Sequence, residues 1–241
     1  MLLNKDRSVK EFFNDRNGNL INLYRVVREQ PDELKARLTY VLNSRADYIL
    51  TKAQIEQGLY RDRVQRAADF YQLIKFSYGG KGSTFGANPR SMWAAFPLID
   101  EVCARLQYVV IENQDFGKII PAQDSGSTFF YLDPPYYLTE DYYPGRIFTE
   151  PDHVRLFETV MQVKGLWLMS YNFCPEIVEL YSRPGLYIEK LERPNNLAQK
   201  YDPGAMYEEV VISNYDTSKI RPLQMSLIGE APEERNYIWR A

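Results

Sequence analysis

Several residue types that build common functional sites are scarce in this 241-residue sequence. Its two cysteines, Cys103 and Cys174, exclude a disulfide-stapled scaffold and a four-cysteine zinc site. Its single histidine, His153, excludes a histidine-rich metal centre, and we expect this residue to be structural. We therefore predict a protein that uses no bound metal ion.

Long apolar runs are also missing. No stretch of 18 apolar residues could cross a membrane, and residues 1–10 (MLLNKDRSVK) contain no apolar signal-peptide core. We therefore expect no membrane partner and a cytoplasmic location. The length suffices to bury a sizeable core in one or two domains, and a hydrophobic share of 45% with 25% charged residues is ordinary for a globular protein.

Positive charge is concentrated in one part of a chain whose net charge is −3. Residues 35–95 contain ten lysines and arginines but only four aspartates and glutamates. A basic block in an otherwise acidic chain indicates a surface for a polyanion, although solvated helices can show the same excess. The charge distribution alone leaves both interpretations open.

The spacing of apolar residues predicts an α/β protein. Strands are predicted at residues 10–14, 108–112, 128–132, 166–170, 186–191 and 207–213. Helices are predicted at residues 20–27, from Pro31, from Lys52 to about Phe76 with Thr51 as the cap, and at 91–105, 150–163 and 175–182. The alternation of strands and helices in the second half favours a largely parallel sheet.

The clearest functional signal is Asp133-Pro134-Pro135-Tyr136, directly after the predicted strand 128–132. The two prolines fix the backbone and remove two N–H donors, so that carboxylate and carbonyl acceptors remain. A ring amino group donates two hydrogen bonds, which Asp133 and the Pro134 carbonyl could accept while Tyr136 stacks on the ring. The alternative is a proline turn that only ends a strand. The position at the carboxyl end of a strand, where α/β sheets bind ligands, favours a site.

A glycine-rich segment, residues 79–86 (GGKGSTFG), is predicted to be a loop or a hairpin. It is similar to a phosphate-binding loop. However, a predicted helix precedes it, and Gly82 follows Lys81 where a Walker A loop requires Ser or Thr. A nucleotide triphosphatase is therefore disfavoured.

On these residues the sequence resembles the Dam-like class of adenine-specific DNA methyltransferases, whose signature is Asp-Pro-Pro-Tyr. The resemblance extends from Leu3 to about Asp216, with further matching segments at residues 14–17 with Leu20, 76–86, 112–116 and 170–172. It implies a site-specific enzyme that transfers a methyl group from S-adenosylmethionine to the exocyclic amino group of adenine in double-stranded DNA. It also implies a Rossmann-like methyltransferase sheet, formed by residues 1–30 and 106–241, with a mainly helical target-recognition region inserted at residues 31–105.

The resemblance assigns roles to matching residues. Asp133, Pro134, Pro135 and Tyr136 would form the catalytic corner, which binds the amino group of a flipped adenine and stacks on its ring. The cofactor would be bound by Asp15 at its ribose and by Asp115 and Phe116 at its adenine. The DNA would be contacted by Lys75, Tyr78, Lys81, Ser83, Arg90 and Asn172. A weaker candidate for the base pocket is the polar loop with Arg193, Asn195, Asn196 and Tyr201.

The resemblance also shows what is missing. Members of this class begin with a Lys-containing segment, a first strand and a Phe-x-Gly-x-Gly loop for the methionine end of the cofactor, whereas the first glycine here is Gly18. The central first strand and half of the cofactor site are therefore expected to be absent. Three explanations stay open: a misassigned start, a complementary N-terminal segment or subunit that supplies the missing part, or a non-catalytic remnant that binds DNA weakly. A cytosine amino methyltransferase is a further alternative, because it uses the same geometry.

Overall fold

The structure, a computed structural model, describes residues 2–139, 148–194, 206–219 and 237–240. Over these residues the fold is mixed α/β, with eight α-helices and seven strands. The chain divides into two compact units, residues 1–115 and residues 116–241. Each unit contains its own sheet and its own apolar core.

Unit 1 is mainly helical. Its helices are α1 (Gly18–Glu29), α2 (Pro31–Leu38), α3 (Arg45–Gln57), α4 (Arg63–Phe76) and α5 (Phe96–Leu106). Its two strands, β1 (Phe12–Asn14) and β2 (Val110–Glu112), pair in parallel. The helices bury their apolar faces around residues such as Val26, Leu34 and Phe76, none of which is more than 1% exposed.

The prediction of one helix from Lys52 to Phe76 is wrong, and so is the prediction that Thr51 caps it. Two helices stand there, and Thr51 lies inside α3. The Ser44 hydroxyl caps α3 by accepting the Asp47 N–H, and Gly58 ends this helix with a φ of +68°. Such a left-handed residue is a common helix stop because glycine has no Cβ to clash. The helix α4 then begins again behind Asp62, whose carboxylate accepts two backbone N–H groups.

Unit 2 is a five-stranded sheet with helices. The strands are β3 (Phe129–Leu132), β4 (Leu166–Asn172), β5 (Tyr187–Pro194), β6 (Met206–Ser213) and β7 (Tyr237–Arg240). They lie in the order β3-β4-β6-β5-β7. The helices are α6 (Phe116–Gln123), α7 (Glu150–Val160) and α8 (Pro175–Tyr181). The start of α7 is fixed by a capping box of Thr149 and Asp152.

The predicted largely parallel sheet is wrong for the described strands, because three of their five pairings are antiparallel. The strands β3 and β4 are parallel, since α7 carries the chain back between them. The strand β6 lies between β4 and β5 and runs in the opposite direction to both. The direction of a strand is not encoded in its local apolar pattern, so the sequence could not indicate this reversal.

The two faces of β4 differ in character, and this difference positions the site. Trp167, Met169 and Tyr171 on one face are at most 1% exposed and pack in the core with residues of α7 and α8. Ser170 and Asn172 point to the other face, because neighbouring side chains of a strand alternate. The sheet thus presents polar side chains where β3 and β4 end.

Among the described residues, no helix is long and apolar enough to span a bilayer. The functional division that the sequence predicts, residues 1–30 with 106–241 and residues 31–105, stays a prediction.

Candidate active site

The Asp-Pro-Pro-Tyr segment begins directly after β3. Leu132 is paired with Met169, so Asp133 lies beside Ser170 on the parallel strand β4. The Ser170 hydroxyl donates a hydrogen bond to Asp133 Oδ1 at 3.0 Å. The Asp133 residue is exposed, whereas Pro134, Pro135 and Tyr136 are half-buried. The structure therefore places an oriented carboxylate at the surface, at the carboxyl end of a strand.

Asn172, at the end of β4, holds the corner through the next residue. Its side-chain Oδ1 accepts the backbone N–H of Tyr137 at 2.9 Å, and its Nδ2 donates to the carbonyl of Tyr137 at 3.1 Å. A turn follows, in which Thr139 donates twice to the Tyr136 carbonyl. In this turn Leu138 has a φ of +64°, a strained conformation that is uncommon for a residue other than glycine.

Tyr136 is fixed at its tip by an acid from another strand. Its hydroxyl donates to Glu209 Oε1 on β6 at 3.0 Å. Burial raises the pKa of the Tyr136 phenol, and the carboxylates of Glu209 and Asp133 raise it further. The Tyr136 ring lies 6.5 Å from the ring of Tyr207, with 23° between their planes, and 6.3 Å from the ring of Tyr171. The phenol therefore remains a neutral donor.

His153 lies in the core below this corner. It is 2% exposed, and its Nδ1 is 2.8 Å from the Tyr171 hydroxyl. Its ring packs edge-on against Tyr137 and Phe148. Burial among aromatic rings fits the structural role that the sequence predicts for this histidine.

The residues predicted to bind the cofactor's ribose and adenine follow the two strands of unit 1. Asp15 comes directly after β1, and its Oδ1 accepts the Asn17 N–H at 2.6 Å. The Asn113 side chain donates to the Asp15 carbonyl at 2.7 Å. Asn14 makes two hydrogen bonds with the backbone of Gln114, one residue before Asp115. The ends of β1 and β2 are thereby joined, with Asp15 and Asp115 both half-buried.

Phe116 is the first residue of α6, in unit 2. The Arg155 guanidinium lies 3.9 Å from the centre of its ring, and the ring of Phe148 is 5.8 Å away. A side chain of the protein thus already stacks on this ring, which restricts how a cofactor base could approach it.

The predicted DNA contacts of unit 1 lie in and around a short hairpin after α4. Tyr78 N–H donates to the Thr84 carbonyl and Gly86 N–H to the Phe76 carbonyl, each at 2.7 Å, so that of the two predicted forms, loop or hairpin, the segment has the second. Gly79, Gly80 and Gly82 have φ between +63° and +72°, a region that favours glycine. Four of the residues predicted to contact DNA are exposed here, namely Tyr78, Lys81, Ser83 and Arg90. The fifth, Lys75, is half-buried.

The basic block of residues 35–95 is partly neutralised within unit 1. Lys35 and Arg63 pair with Asp100 and Glu29, which lie outside the block. The acids that pair with Arg37 and Lys52 lie inside the block and are already counted in its charge. Acids outside the block therefore compensate two of its six excess positive charges, ten basic minus four acidic residues.

The remaining predicted residues have mixed outcomes. Asn195, Asn196 and Tyr201 lie outside the described residues, and only the backbone of Arg193 is described. Asn172 lies in unit 2, where its amide holds Tyr137. Glu209, the partner of Tyr136, was not predicted from the sequence. The only sequence feature that could have indicated it is its position two residues after Tyr207, on the same face of a predicted strand.

The mixed α/β fold and the acid-Pro-Pro-Tyr corner at a strand end are what the resemblance to amino-group methyltransferases implies. Comparison with known families bears this out. Residues 2–196 match the D12 class N6 adenine-specific DNA methyltransferase family, and the chain belongs to that family. It is also similar to the type II methyltransferase M1.LlaDCHI of Lactococcus lactis subsp. cremoris, with 27% identity over 229 residues, which cover 86% of this chain and 80% of the relative.

Family membership confirms the predicted function, methylation of the exocyclic amino group of adenine in DNA. The family is adenine-specific, so the cytosine alternative gains no support. The methyl donor of such enzymes is S-adenosylmethionine.

Proposed function

We propose that the segment Asp133–Tyr136 is the catalytic corner of this DNA adenine methyltransferase. The observation that supports the proposal is the oriented, exposed carboxylate of Asp133 beside a Pro-Pro turn and a fixed phenol ring. Ser170 engages Oδ1, so that Oδ2 can accept a hydrogen of an amino group. The Pro134 carbonyl is the second acceptor, and the half-buried ring of Tyr136 offers a face for stacking.

The two acceptors act on the electrons of the amino group. In adenine the nitrogen lone pair is delocalised into the ring and attacks poorly. Hydrogen bonds from both N–H groups to Asp133 and Pro134 increase electron density on the nitrogen and orient its lone pair. The methyl carbon would leave the sulfonium sulfur, which would keep the electrons of the broken S–C bond, as the new N–C bond forms, and the proton that the amino group then loses would pass through Asp133 to solvent. The target base must first leave the duplex, at a cost of a few kcal/mol that stacking and hydrogen bonds recover.

The ribose end of the cofactor has a suitable residue in unit 1. S-adenosylmethionine supplies an activated methyl group on a sulfonium. A carboxylate after a parallel strand is a common ligand of ribose hydroxyls, and Asp15 has this position. We assign Asp15 to the ribose and Asp115 and Phe116 to the cofactor's adenine.

For the methionine end of the cofactor, the described ranges contain no matching element. In the part of the chain that the structure describes, no glycine-rich turn joins a strand to a helix. In addition, β3 lies at the edge of the sheet that the described strands form, and its side chains Phe129 and Tyr131 are 51% and 42% exposed. The strand β1 likewise has β2 as its only described partner. Parallel strands are ordinarily paired and covered on both sides.

These open edges support a complementary segment or subunit that adds an apolar parallel strand and a glycine-rich loop. In this proposal, the chain binds S-adenosylmethionine weakly by itself and tightly with its complement. The alternative, a DNA-binding remnant, predicts no tight binding in either case. Calorimetry of residues 1–241 with S-adenosylmethionine, with and without a co-expressed segment of that kind, separates the two. Tight binding by the chain alone would contradict both.

DNA contact is proposed for the hairpin residues Tyr78, Lys81 and Ser83, with Lys75 and Arg90 at its base. Basic and hydroxyl side chains on an exposed turn suit phosphate oxygens. Mass spectrometry of nucleosides from DNA treated with the enzyme tests the function as a whole. N6-methyladenine is the expected product, and a methylated cytosine would contradict the assignment.

A further inference from the structure

The Tyr136 ring must present a defined face if it is to stack on a base. A tyrosine side chain rotates about two bonds, and fixing its hydroxyl removes much of this freedom. The rings of Tyr207 and Tyr171 lie 6.5 and 6.3 Å from it, and its hydroxyl donates to Glu209 Oε1 at 3.0 Å and also meets the side chain of Ser170. The contacts at the hydroxyl, of which the one with Glu209 is charged, therefore fix the direction in which the ring points.

The sheet register explains why one acid can do this. Glu209 on β6 is paired directly with Asn172 on β4. Asn172 holds the backbone of Tyr137, and Glu209 holds the side chain of Tyr136. A single cross-strand pair therefore fixes two successive residues of the corner, one by its backbone and one by its ring.

From this geometry we propose that Glu209 is a positioning residue for methyl transfer, which orients the Tyr136 ring by accepting its hydroxyl hydrogen. The inference rests on the proposed function, in which Tyr136 stacks on the target adenine. Glu209 touches neither the base nor the methyl group, and it acts only through Tyr136. A hydrogen bond to a carboxylate is among the stronger ones in proteins, so its loss should be measurable in the rate.

The test is a double-mutant cycle with Tyr136→Phe and Glu209→Gln. Single-turnover methylation of long unmethylated double-stranded DNA gives the rate, together with the apparent affinities for DNA and S-adenosylmethionine. If the wild type requires the complementary segment, all variants are measured with it. Tyr136→Phe, which removes the bond, should lower kcat by up to about ten- to hundredfold, and Glu209→Gln, whose amide oxygen still accepts but carries no charge, should lower it by less. Both affinities should stay nearly unchanged.

The double variant should be no slower than Tyr136→Phe alone, because without the hydroxyl the change from Glu209 to Gln has no hydrogen bond left to weaken. The control is Glu208→Gln, an equal change of charge at the adjacent residue, whose carboxylate pairs with Lys190. We expect its kcat to equal that of the wild type. Unfolding in urea shows whether each variant is folded at the assay temperature.

The outcomes separate the two levels of the proposal. A wild type that transfers no methyl group overturns the proposed function, and the positioning role with it. An active wild type with full kcat in folded Tyr136→Phe and Glu209→Gln variants overturns only the positioning role. Additive losses in the double variant also overturn it, because Glu209 would then act independently of the Tyr136 hydroxyl.

Discussion

Substitution of Asn172 by alanine is expected to loosen the catalytic corner. Its two hydrogen bonds with the Tyr137 backbone are 2.9 and 3.1 Å long. Each contributes about 1 kcal/mol net, and the half-buried Tyr137 N–H left without its acceptor adds about 1 kcal/mol more. We therefore expect the free energy of unfolding to fall by about 2–3 kcal/mol. Because the bonds fix the corner, kcat should fall while the affinity for DNA stays nearly constant.

Urea unfolding followed by circular dichroism measures the stability, and single-turnover methylation with fluorescence anisotropy separates kcat from DNA affinity. A suitable control is Asn22→Ala, which removes a hydrogen bond to the Arg63 carbonyl in unit 1. It should cost about 1 kcal/mol and leave kcat unchanged. An Asn172→Ala variant with normal stability and kcat would refute the claim that the hydrogen bonds of Asn172 to the Tyr137 backbone hold the catalytic corner. Normal stability with weakened DNA binding would instead support the direct DNA contact that the sequence predicts.

Three further predictions concern stability and DNA binding. Glu11 is 6% exposed and pairs with Arg105 at 2.7 Å, and the hydrogen bond from Arg105 lowers its pKa to about 2. This ion pair therefore stabilises the fold fully above pH 4.5, the ordinary pKa of the carboxyl, and the stabilisation is lost as the pH falls toward 2. Glu11→Gln should lower the free energy of unfolding by about 2–4 kcal/mol at pH 7 and weaken its dependence on pH below 4.5. Identical curves of unfolding free energy against pH for the variant and the wild type would contradict this. A Cβ at Gly165 would lie 2.7 Å from the Ser125 carbonyl oxygen, so Gly165→Ala should lower stability by about 2 kcal/mol or more, whereas Gly126→Ala, with open space around it, should not. Lys81→Ala should reduce the slope of log affinity for DNA against log salt by about 1, and an unchanged slope would remove Lys81 from the interface.

The corner could be predicted from the sequence because its chemistry lies in consecutive residues. Four adjacent side chains and one strand end define the acceptors and the stacking ring, and the structure brings them together at the end of β3. The supports could not be predicted in the same way. Glu209 lies 73 residues from Tyr136, and only the register of β6 against β4 places it there.

Helix boundaries and strand directions show the same limit. Gly58 and Asp62 are ordinary stop and start signals, but a long helical pattern around them outweighed both in the prediction. The antiparallel course of β6 depends on which strands it lies between, and local periodicity holds no information on that. Local chemistry was thus predictable here, and long-range pairing was not.

The most direct test of the account is methyl transfer by Asp133→Ala, measured beside the wild type as N6-methyladenine in double-stranded DNA. Asp133 is exposed, with one described hydrogen bond from Ser170, so its removal should leave folding and DNA binding nearly intact. The account predicts a wild type that forms N6-methyladenine and a folded, DNA-binding variant that forms none. Full activity of the Asp133→Ala variant would contradict it.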